Sequence, residues 1–263
     1  MVFGMPGSII LKSKREIEKM SEAGKILAGA YGLLREMISP GLETRVIDEE
    51  ISKFVIKRGG VCTFNGYRGF PHNTCISINE EVVHGFPSKR KLKEGEIVSV
   101  DLGVTLDGYI ADSALTLPVG SVSDKAKRLL RVTRECLYRA IEASVSGNYI
   151  RDISESVESH ATEHGYSVVR KFVGHGIGRD MHEKPEVPNF VSVGKGAKIS
   201  PGLVLAIEPM VNIGTHDVFV EQNGWTVKTA DGELSAHFEH TVAVTADGPL
   251  VLTRRDNEEE EDF

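Results

Sequence analysis

Four carboxylates stand inside or at the ends of apolar runs of the sequence, where side chains are normally buried. Asp101 ends the run G-E-I-V-S-V-D, and Glu208 ends the matching run G-L-V-L-A-I-E. Asp112 in A-D-S-A-L and Glu239 in F-E-H-T-V form a second matching pair. Burying a carboxylate costs several kcal/mol unless it is paired or bound to a metal. We therefore predict that the four acids share one site, built across an approximate two-fold axis between two similar halves of the chain.

Asp101 and Asp112 flank a predicted hairpin. If Asp107-Gly108 forms a two-residue loop, Asp112 pairs with Gly103, two residues from Asp101 on the same face. A four-residue loop over 105–108 would instead put Asp101 directly opposite Asp112. Either register brings the two Cβ atoms within about 5–8 Å, a span that two metal ions about 3.5–4 Å apart can fill. Bare carboxylates that close repel each other, and a cation removes that penalty.

His175 lies in the run F-V-G-H-G-I-G. Glycines on both sides let another backbone approach closely and leave the imidazole accessible at a strand end. These glycines lack the spacing of a nucleotide-binding loop, and no helix follows at once. Four carboxylates and one imidazole, without a thiolate, favour Mn²⁺, Fe²⁺ or Co²⁺ and also accept Zn²⁺. We expect a dinuclear site with open positions for water and substrate.

A second metal-type pattern, H-x-x-E-H, occurs at His160, Glu163 and His164. Some zinc peptidases carry this pattern on a helix, where residues i and i+4 share a face. The pattern is short, and the polar residues around it are typical of a solvated helix surface. We predict a surface helix here and no catalytic site.

The elements that must position these residues follow from apolar periodicity and turn residues. Helices are predicted over 14–38, over 44–57, from Ser121 or Ser123 to about 145, and over 148–164. Strands are predicted over 75–79, 97–105, 109–119, 167–173, 203–211, 218–221 and 233–244. Because two helices followed by strands occur twice without a linker, we predict a single α+β domain over 1–255. An acidic tail over 256–263, with no apolar period, is predicted to be disordered.

Composition excludes several classes of protein. The 263 residues include 31 Lys+Arg and 38 Asp+Glu, giving a net charge of −7, and six of the acids lie in the last eight residues. The rest is nearly neutral, which argues against nucleic-acid binding. No apolar run is long enough to span a bilayer, and no secretory signal is recognisable. The three cysteines form no metal-type pair and cannot all be bridged. We expect a cytoplasmic protein without a membrane partner.

The motifs around the five candidate ligands resemble those of one family. V-D-L-G-V, A-D-S-A, G-H-G-I-G, I-E-P-M and F-E-H-T are similar to the metal-ligand motifs of type I methionine aminopeptidases. The similarity runs over about 14–252 and includes C-I-S-I-N at 75–79, H-G at 84–85 and G-R-D-M-H-E-K-P at 178–185. It implies the pita-bread fold, in which two similar α/β halves related by a pseudo-two-fold axis surround a central antiparallel sheet.

The resemblance also implies a role for each ligand. Asp101 would hold one metal ion, Asp112 and Glu239 would bridge both, and His175 and Glu208 would hold the other. The expected cofactors are two divalent ions, either Co, Mn or Fe, with Zn as a further possibility.

The resemblance further implies a hydrolytic mechanism. A metal-bridging water or hydroxide would attack the carbonyl of an N-terminal methionine, with Glu208 taking and returning the proton. His182 would hydrogen-bond the carbonyl oxygen or oxyanion, and His84 the peptide nitrogen of the next residue. The free α-amine would meet a metal ion, which explains action at the N-terminus alone.

Methionine requires a soft, apolar pocket. The resemblance implies that its walls are Phe64, Tyr67, Phe70, Cys75, Met181 and Trp225, beside His84 and His182. Some bacterial relatives carry a cysteine where Phe64 stands, so this wall departs from their pattern. The expected substrates are nascent polypeptides with a small second residue, and a compact, monomeric, bacterial-style enzyme in transient contact with the ribosome is expected.

Two alternatives remain open from the sequence. X-Pro peptidases share the five-ligand site, but they usually carry a substantial N-terminal domain, whereas the first predicted helix here begins near residue 14. A catalytically inactive member that only binds proteins would have lost ligands, whereas this chain retains all five.

Overall fold

Two pairs of helices, one pair in each half of the chain, pack against antiparallel sheets in the computed structural model, which describes residues 8–256 and 258. The helices are α1 (Lys14–Met37), α2 (Thr44–Lys57), α3 (Asp124–Ala143) and α4 (Ile150–Glu163), with a short 3₁₀ turn at Tyr67–Gly69. The strands of the first half are β1 (Val61–Cys62), β2 (Cys75–Ile78), β3 (Glu81–Val83), β4 (Ile97–Leu106) and β5 (Tyr109–Pro118). Those of the second half are β6 (Ser167–Val168), β7 (Gly174–Gly176), β8 (Glu183–Val187), β9 (Val204–Ile207), β10 (Met210–Asn212), β11 (Val218–Val220), β12 (Val227–Thr229), β13 (Ser235–His237), β14 (His240–Thr245) and β15 (Gly248–Val251).

The predicted helices are confirmed, with small differences at their ends. Helix α1 begins with a capping box, because the Ser13 side chain accepts from the Glu16 N–H and Glu16 accepts from the Ser13 N–H. Of the two serines proposed to cap α3, Ser123 is the cap and accepts from the N–H of Ala126. The segment after α4 turns at Gly165, whose φ is 80°.

The hairpin of β4 and β5 selects the first of the two predicted registers. Gly103 pairs with Asp112, and Asp101 pairs with Ala114. Asp107 and Gly108 both have positive φ, 51° and 75°, as a tight two-residue hairpin turn requires. Asp101 therefore lies two positions from the partner of Asp112, and both side chains share one face.

Two strands predicted to be continuous are each divided at an acidic residue. The predicted strand over 203–211 is β9 and β10, with Glu208-Pro209 between them, and that over 233–244 is β13 and β14, with Phe238-Glu239 between them. Strands β9 and β14 pair in the five-stranded sheet, whereas β10 and β13 pair in a three-stranded sheet. Both acids thus stand where the paired chain passes from one sheet to another. Pro209 contributes by offering no N–H to a ladder.

The sheets are organised as four hydrogen-bonded groups of described strands, and the pairings are antiparallel. Their orders are β1-β4-β2 with β5 on β4, β13-β10-β6, β11-β12-β3 and β15-β14-β9-β7-β8. The largest apolar core draws on all four helices and on strands of both halves, including Leu27, Ile47, Val100, Leu137 and Leu205. No helix in the described part of the chain is long and apolar enough to cross a membrane.

The C-terminal segment differs from the predicted disordered tail at one residue. Glu258 is only 4% exposed and accepts hydrogen bonds from Tyr138 and His240. The buried side chains of Arg255 and His240 and the half-buried Tyr138 supply partners that a tail in water would lack, so position 258 belongs to the packed body. Residues 1–7 of the predicted domain, and 257 and 259–263 of the predicted tail, lie outside the described residues.

Candidate metal centre

The five predicted ligands converge from five separate segments. Asp101 lies on β4, Asp112 on β5 and His175 on β7, while Glu208 follows β9 and Glu239 precedes β14. Asp112, His175 and Glu239 are each at most 3% exposed, and Asp101 and Glu208 are partly buried. The sheet crossings described above therefore deliver the two glutamates to the face on which the hairpin presents its two aspartates.

Distances between side-chain atoms define the centre. Nε2 of His175 lies 3.6 Å from Oε1 of Glu208 and 4.0 Å from Oδ2 of Asp112. One ligand atom from each of Asp112, His175 and Glu239 lies within 4.8 Å of the other two. Burial raises the pKa of Asp101, and the negative charges of the nearby Asp112 and Glu208 raise it further. These residues thus form one compact group.

His175 reaches this group because β7 packs tightly between β8 and β9. A Cβ atom at Gly174 would clash with the carbonyl oxygen of Ala206, and one at Gly176 with that of Lys184. Nδ1 of His175 lies 2.9 Å from the carbonyl oxygen of Gly176 and donates to it, which leaves the Nε2 lone pair facing the carboxylates. The predicted role of the flanking glycines, close backbone approach, is what these contacts require.

The carboxylates have oxygens without hydrogen-bond partners and raised pKa values. Oδ1 of Asp101 and Oε1 of Glu239 are buried without a hydrogen-bond partner. Burial raises the pKa of Asp112 to about 7. Burial and the neighbouring acids also raise the pKa values of Asp101, Glu208 and Glu239 well above their usual range. Burial lowers the pKa of His175 to about 4, so the imidazole is neutral at pH 7.

Divalent cations fit this donor set. Buried acids that repel one another and retain orphaned oxygens are stabilised by bound positive charge. Oxygen ligands with one neutral imidazole suit Mn²⁺, Fe²⁺, Co²⁺ and Zn²⁺. The arrangement can therefore hold divalent metal.

Supporting hydrogen bonds fix the ligand-bearing strands. The N–H of Asp112 donates to Oγ1 of Thr241 at 2.8 Å, and that hydroxyl donates back to the Asp112 carbonyl at 2.8 Å. Ser113 donates to the carbonyl of Glu239 at 2.6 Å, and Asn189 to that of Glu208 at 3.0 Å. Such partners hold metal ligands in place.

His237 is a member of the site that the sequence analysis missed. Its Nε2 lies 3.6 Å from Oε2 of Glu208, on the side opposite to the His175 contact, and it has no hydrogen-bond partner. Burial lowers its pKa to about 3. The available signal was its position in H-F-E-H, two residues before Glu239. Nothing in that pattern alone distinguishes it from His240, whose ring contacts Thr253 and Glu258 instead.

The two predicted catalytic histidines flank the centre. The ring centroids of His182 and His175 are 4.2 Å apart. Nδ1 of His182 lies 2.8 Å from the hydroxyl of Tyr67, and the two rings stack. His84 has a positive φ of 59° and meets the edges of Phe172 and Trp225. Burial lowers the pKa of His84 to about 4 and that of His182 to about 2, so both are neutral at pH 7.

The predicted pocket residues share one apolar cluster, separate from the main core. Phe64, Phe70, Cys75 and Met181 are buried in it, and Tyr67 and Trp225 pack against it. Phe70 is central, with its ring centroid 6.4 Å from that of Phe64 and 5.1 Å from that of Trp225. Phe86, which no sequence pattern singled out, also packs against this cluster, with its ring centroid 5.5 Å from that of Phe70.

The H-x-x-E-H pattern lies on α4, away from these residues. Its prediction as a solvated surface is correct for Glu163, which is exposed, but wrong for His160, which is 5% exposed. His160 is buried because it faces Glu135 on α3, with 2.8 Å between His160 Nε2 and Glu135 Oε2.

Comparisons with known proteins show the family to which this chain belongs. The model of metallopeptidase family M24 matches residues 18–246. A methionine aminopeptidase of Clostridium perfringens is 49% identical over 245 residues, covering 93% of this chain and 98% of that protein. The crystal structure of methionine aminopeptidase from Thermotoga maritima matches with a TM-score of 0.92 at 42% identity, covering 94% of this chain and 100% of that one.

A second crystal structure, methionine aminopeptidase from Rickettsia prowazekii, also matches with a TM-score of 0.92, at 37% identity over 94% of this chain and 100% of that one. These matches confirm the predicted pita-bread α+β fold. They also decide between the families left open by the sequence. The chain belongs to metallopeptidase family M24 and, within it, to the type I methionine aminopeptidases of the bacterial kind.

Proposed function

We propose that this chain hydrolyses the peptide bond after an N-terminal methionine, using a dinuclear metal centre at the five residues described above. The observation that carries the proposal is the juxtaposition of two features. Four carboxylates, two of them buried and two partly buried, lie together with a neutral imidazole, and two of the acids have orphaned oxygens. Histidines beside them border an apolar, aromatic cluster of the kind that accepts a thioether side chain.

The ligand assignment follows the order of the motifs. Asp101 would hold one ion, Asp112 and Glu239 would be shared between the two ions, and His175 and Glu208 would hold the other. The unpartnered oxygens of Asp101 and Glu239 support it, since each has a lone pair available to a cation. Co, Mn or Fe are the expected ions, and Zn also suits the ligands. When bound, such a pair would increase the acidity of a water molecule and polarise the scissile carbonyl.

Glu208 handles the proton. Burial and the charge of Asp112 raise its pKa, so a carboxylate oxygen of Glu208 readily takes a proton from the attacking water and returns it to the leaving amine. Its two oxygens face the neutral rings of His175 and His237. Neither ring competes as a fixed positive charge, because burial keeps both unprotonated at pH 7.

His182 stabilises the oxyanion. When the Tyr67 hydroxyl donates to Nδ1, the proton of His182 lies on Nε2 and can be donated to the carbonyl oxygen. A neutral imidazole makes this a hydrogen bond, not a proton transfer. His84, also neutral, bonds the peptide nitrogen of the second residue.

Selectivity comes from the two ends of the substrate methionine. Its side chain enters the cluster of Phe64, Phe70, Cys75, Met181 and Trp225 beside Tyr67. Its free α-amine would lie at the metal centre, which would limit action to N-termini, and a small second residue would fit best beside His84. The substrates are nascent polypeptides in the cytoplasm. The enzyme acts on them as a monomer with one catalytic domain and contacts the ribosome transiently.

Peptide hydrolysis tests the proposal directly. Purified protein loaded separately with Mn²⁺, Co²⁺, Fe²⁺ or Zn²⁺ is incubated with Met-Ala-Ser and with Ala-Pro-Ala, with and without chelator. We expect free methionine from the first peptide, little cleavage of the second, and loss of activity in chelator. Failure to release methionine with any of the four ions would refute the proposal, and preferred cleavage of Ala-Pro-Ala would indicate an X-Pro peptidase.

A further inference from the structure

A second group of metal-type side chains lies outside the candidate metal centre. Glu135 on α3, His160 on α4 and His164 directly after α4, here called the α3–α4 cluster, each offer a ligand atom within 4.8 Å of the other two. The same closeness holds for Asp112, His175 and Glu239 of the metal centre. The α3–α4 cluster thus meets the geometric condition that the catalytic ligands meet.

The cluster is not the one that the sequence pattern suggested. His160 and His164 lie one helical turn apart on the same face of α4, with ring centroids 4.4 Å apart. The carboxylate comes from Glu135 on the neighbouring helix, whereas the Glu163 of the H-x-x-E-H pattern is exposed and outside the cluster. The three candidate ligands therefore come from two neighbouring helices and not from the H-x-x-E-H pattern alone.

Local hydrogen bonds prepare the three side chains for a cation. Nδ1 of His164 donates to the carbonyl oxygen of His160 at 2.9 Å, which leaves the Nε2 lone pair available. Nε2 of His160 lies 2.8 Å from Oε2 of Glu135, so these two ligand atoms share a proton that an incoming cation would displace. Arg131 approaches the other oxygen, Oε1, at 4.0 Å, so Oε2 remains directed at His160.

Exposure suits an ion that arrives from solution. The His160 side chain is 6% exposed and that of Glu135 is 40% exposed. The His160 side chain is therefore enclosed by the protein, while the Glu135 side chain is in contact with water. Two imidazoles and one carboxylate leave a position for water, as in three-ligand zinc sites.

We propose that the α3–α4 cluster is a second metal site, which binds Zn²⁺ or Ni²⁺ through His160, His164 and Glu135. Its donors differ from those of the catalytic centre, because imidazole predominates here and carboxylate predominates there. Imidazole-rich sites suit zinc, copper and nickel, whereas oxygen-rich sites suit manganese. An ion held here links α3 to α4 and stabilises the folded state by mass action.

The test counts Zn²⁺ and Ni²⁺ bound per chain after equilibrium dialysis, in wild type, Glu135→Gln, His164→Ala and Glu163→Gln. Glu163→Gln is the matched control, since it makes the same chemical change within the sequence pattern but outside the cluster. We expect wild type and Glu163→Gln to bind one ion more than the other two variants. Equal stoichiometry in all four proteins would overturn the proposal and leave an ordinary His–Glu hydrogen bond.

A second measurement separates this site from the catalytic centre. The same four proteins are compared in a His175→Ala background, in which the catalytic ligand set is broken. There, Zn²⁺ should still raise the melting temperature of the protein with an intact α3–α4 cluster, and it should raise that of the Glu135→Gln protein less. Circular dichroism without metal verifies that each variant folds. An equal rise in both would contradict the proposal.

Discussion

His175 and Glu208 meet across two strands, with 3.6 Å between Nε2 of the imidazole and Oε1 of the carboxyl group. The contact exists because β7 pairs with β9, which sets His175 opposite Ala206, two residues before Glu208. Both side chains are withdrawn from water, the imidazole is held neutral, and the acid has a raised pKa. Neither group stabilises the other as a full ion pair, which is the state expected of two ligands that await a cation.

Replacing His175 by alanine removes one ligand and leaves its partner. We expect His175→Ala to lower kcat/KM for Met-Ala-Ser by at least about 100-fold, the upper end of the loss when only an outer partner of a ligand is removed. Far-UV circular dichroism should remain that of the wild type. His216→Ala, at a side chain 43% exposed, is the control. Wild-type activity in His175→Ala would remove His175 from the site.

Metal affinity should depend on pH in a defined direction. In the metal-free protein the pKa of Asp112 is raised to about 7, so below that pH a proton occupies the carboxyl group and a cation must displace it. Affinity for Mn²⁺ should therefore fall as the pH is lowered from 8 to 6, by about tenfold per pH unit for each displaced proton. Calorimetric titration at three pH values measures this. A constant affinity would show that the acids are already ionised without metal.

His182 and Tyr67 form a hydrogen-bonded pair whose members should contribute unequally. His182→Ala removes the proposed oxyanion donor, and we expect kcat to fall by about 10²–10³-fold with unchanged metal content. Tyr67→Phe removes only the hydroxyl 2.8 Å from Nδ1, so a fall of about tenfold is expected. Steady-state kinetics with metal analysis checks both. If Tyr67→Phe is as damaging as His182→Ala, the tyrosine itself touches the reacting group.

Phe70 tests the methionine pocket. Phe70→Ala removes the ring that contacts Phe64, Phe86 and Trp225, and we expect kcat/KM to fall by roughly 10–200-fold, through KM more than kcat. Phe70→Leu, which retains apolar volume, should lose less. Phe219→Ala, at a ring 48% exposed, should change nothing. Unchanged KM in Phe70→Ala would place methionine elsewhere.

Glu258 should stabilise the fold from a position near the C-terminus. It accepts from Tyr138, from Nε2 of His240 at 3.0 Å and from the N–H of Arg255 at 3.2 Å. Arg255 in turn donates to the carbonyl of Glu239 at 3.0 Å, so this buried pair supports the backbone of a proposed metal ligand. Breaking a buried ion pair costs about 3–5 kcal/mol. Glu258→Gln should lower the free energy of unfolding by about 3 kcal/mol, whereas Asp256→Asn, at an exposed carboxylate two residues away, should not.

The pH dependence of that loss follows from the pKa of Glu258. Burial alone would raise this pKa, but the hydrogen bonds from His240 and Tyr138 and the charge of Arg255 outweigh burial and hold it well below its usual range. A depressed pKa stabilises the folded state above the unfolded pKa of about 4.3, and that stability is lost as the pH falls. Urea unfolding should therefore separate wild type from Glu258→Gln at pH 7 and less at pH 3. An equal difference at both pH values would assign the effect to packing.

The sequence by itself was enough to predict the helices and to select the acidic residues of the centre. Helix α2 was predicted with its observed bounds, 44–57, because an amphipathic repeat ended by Gly59-Gly60 is a local signal. The acids of the centre could be selected because each stands in an apolar segment and has a counterpart in the other half. Because burying a charge is costly, a carboxylate inside an apolar run of the sequence indicates a functional site even before the fold is known.

Only the tertiary structure decided which side chains complete those patterns. The hairpin register depended on the conformation of Asp107-Gly108, and His237 became a neighbour of Glu208 only through the pairing of β10 with β13. Glu135, not Glu163, joins His160 because α3 packs against α4. Glu258 is buried because Tyr138 and His240 meet it from distant segments. The apolar periodicity of a segment reports its own secondary structure and does not show which distant segment it will contact. These contacts could therefore be identified only from the folded structure.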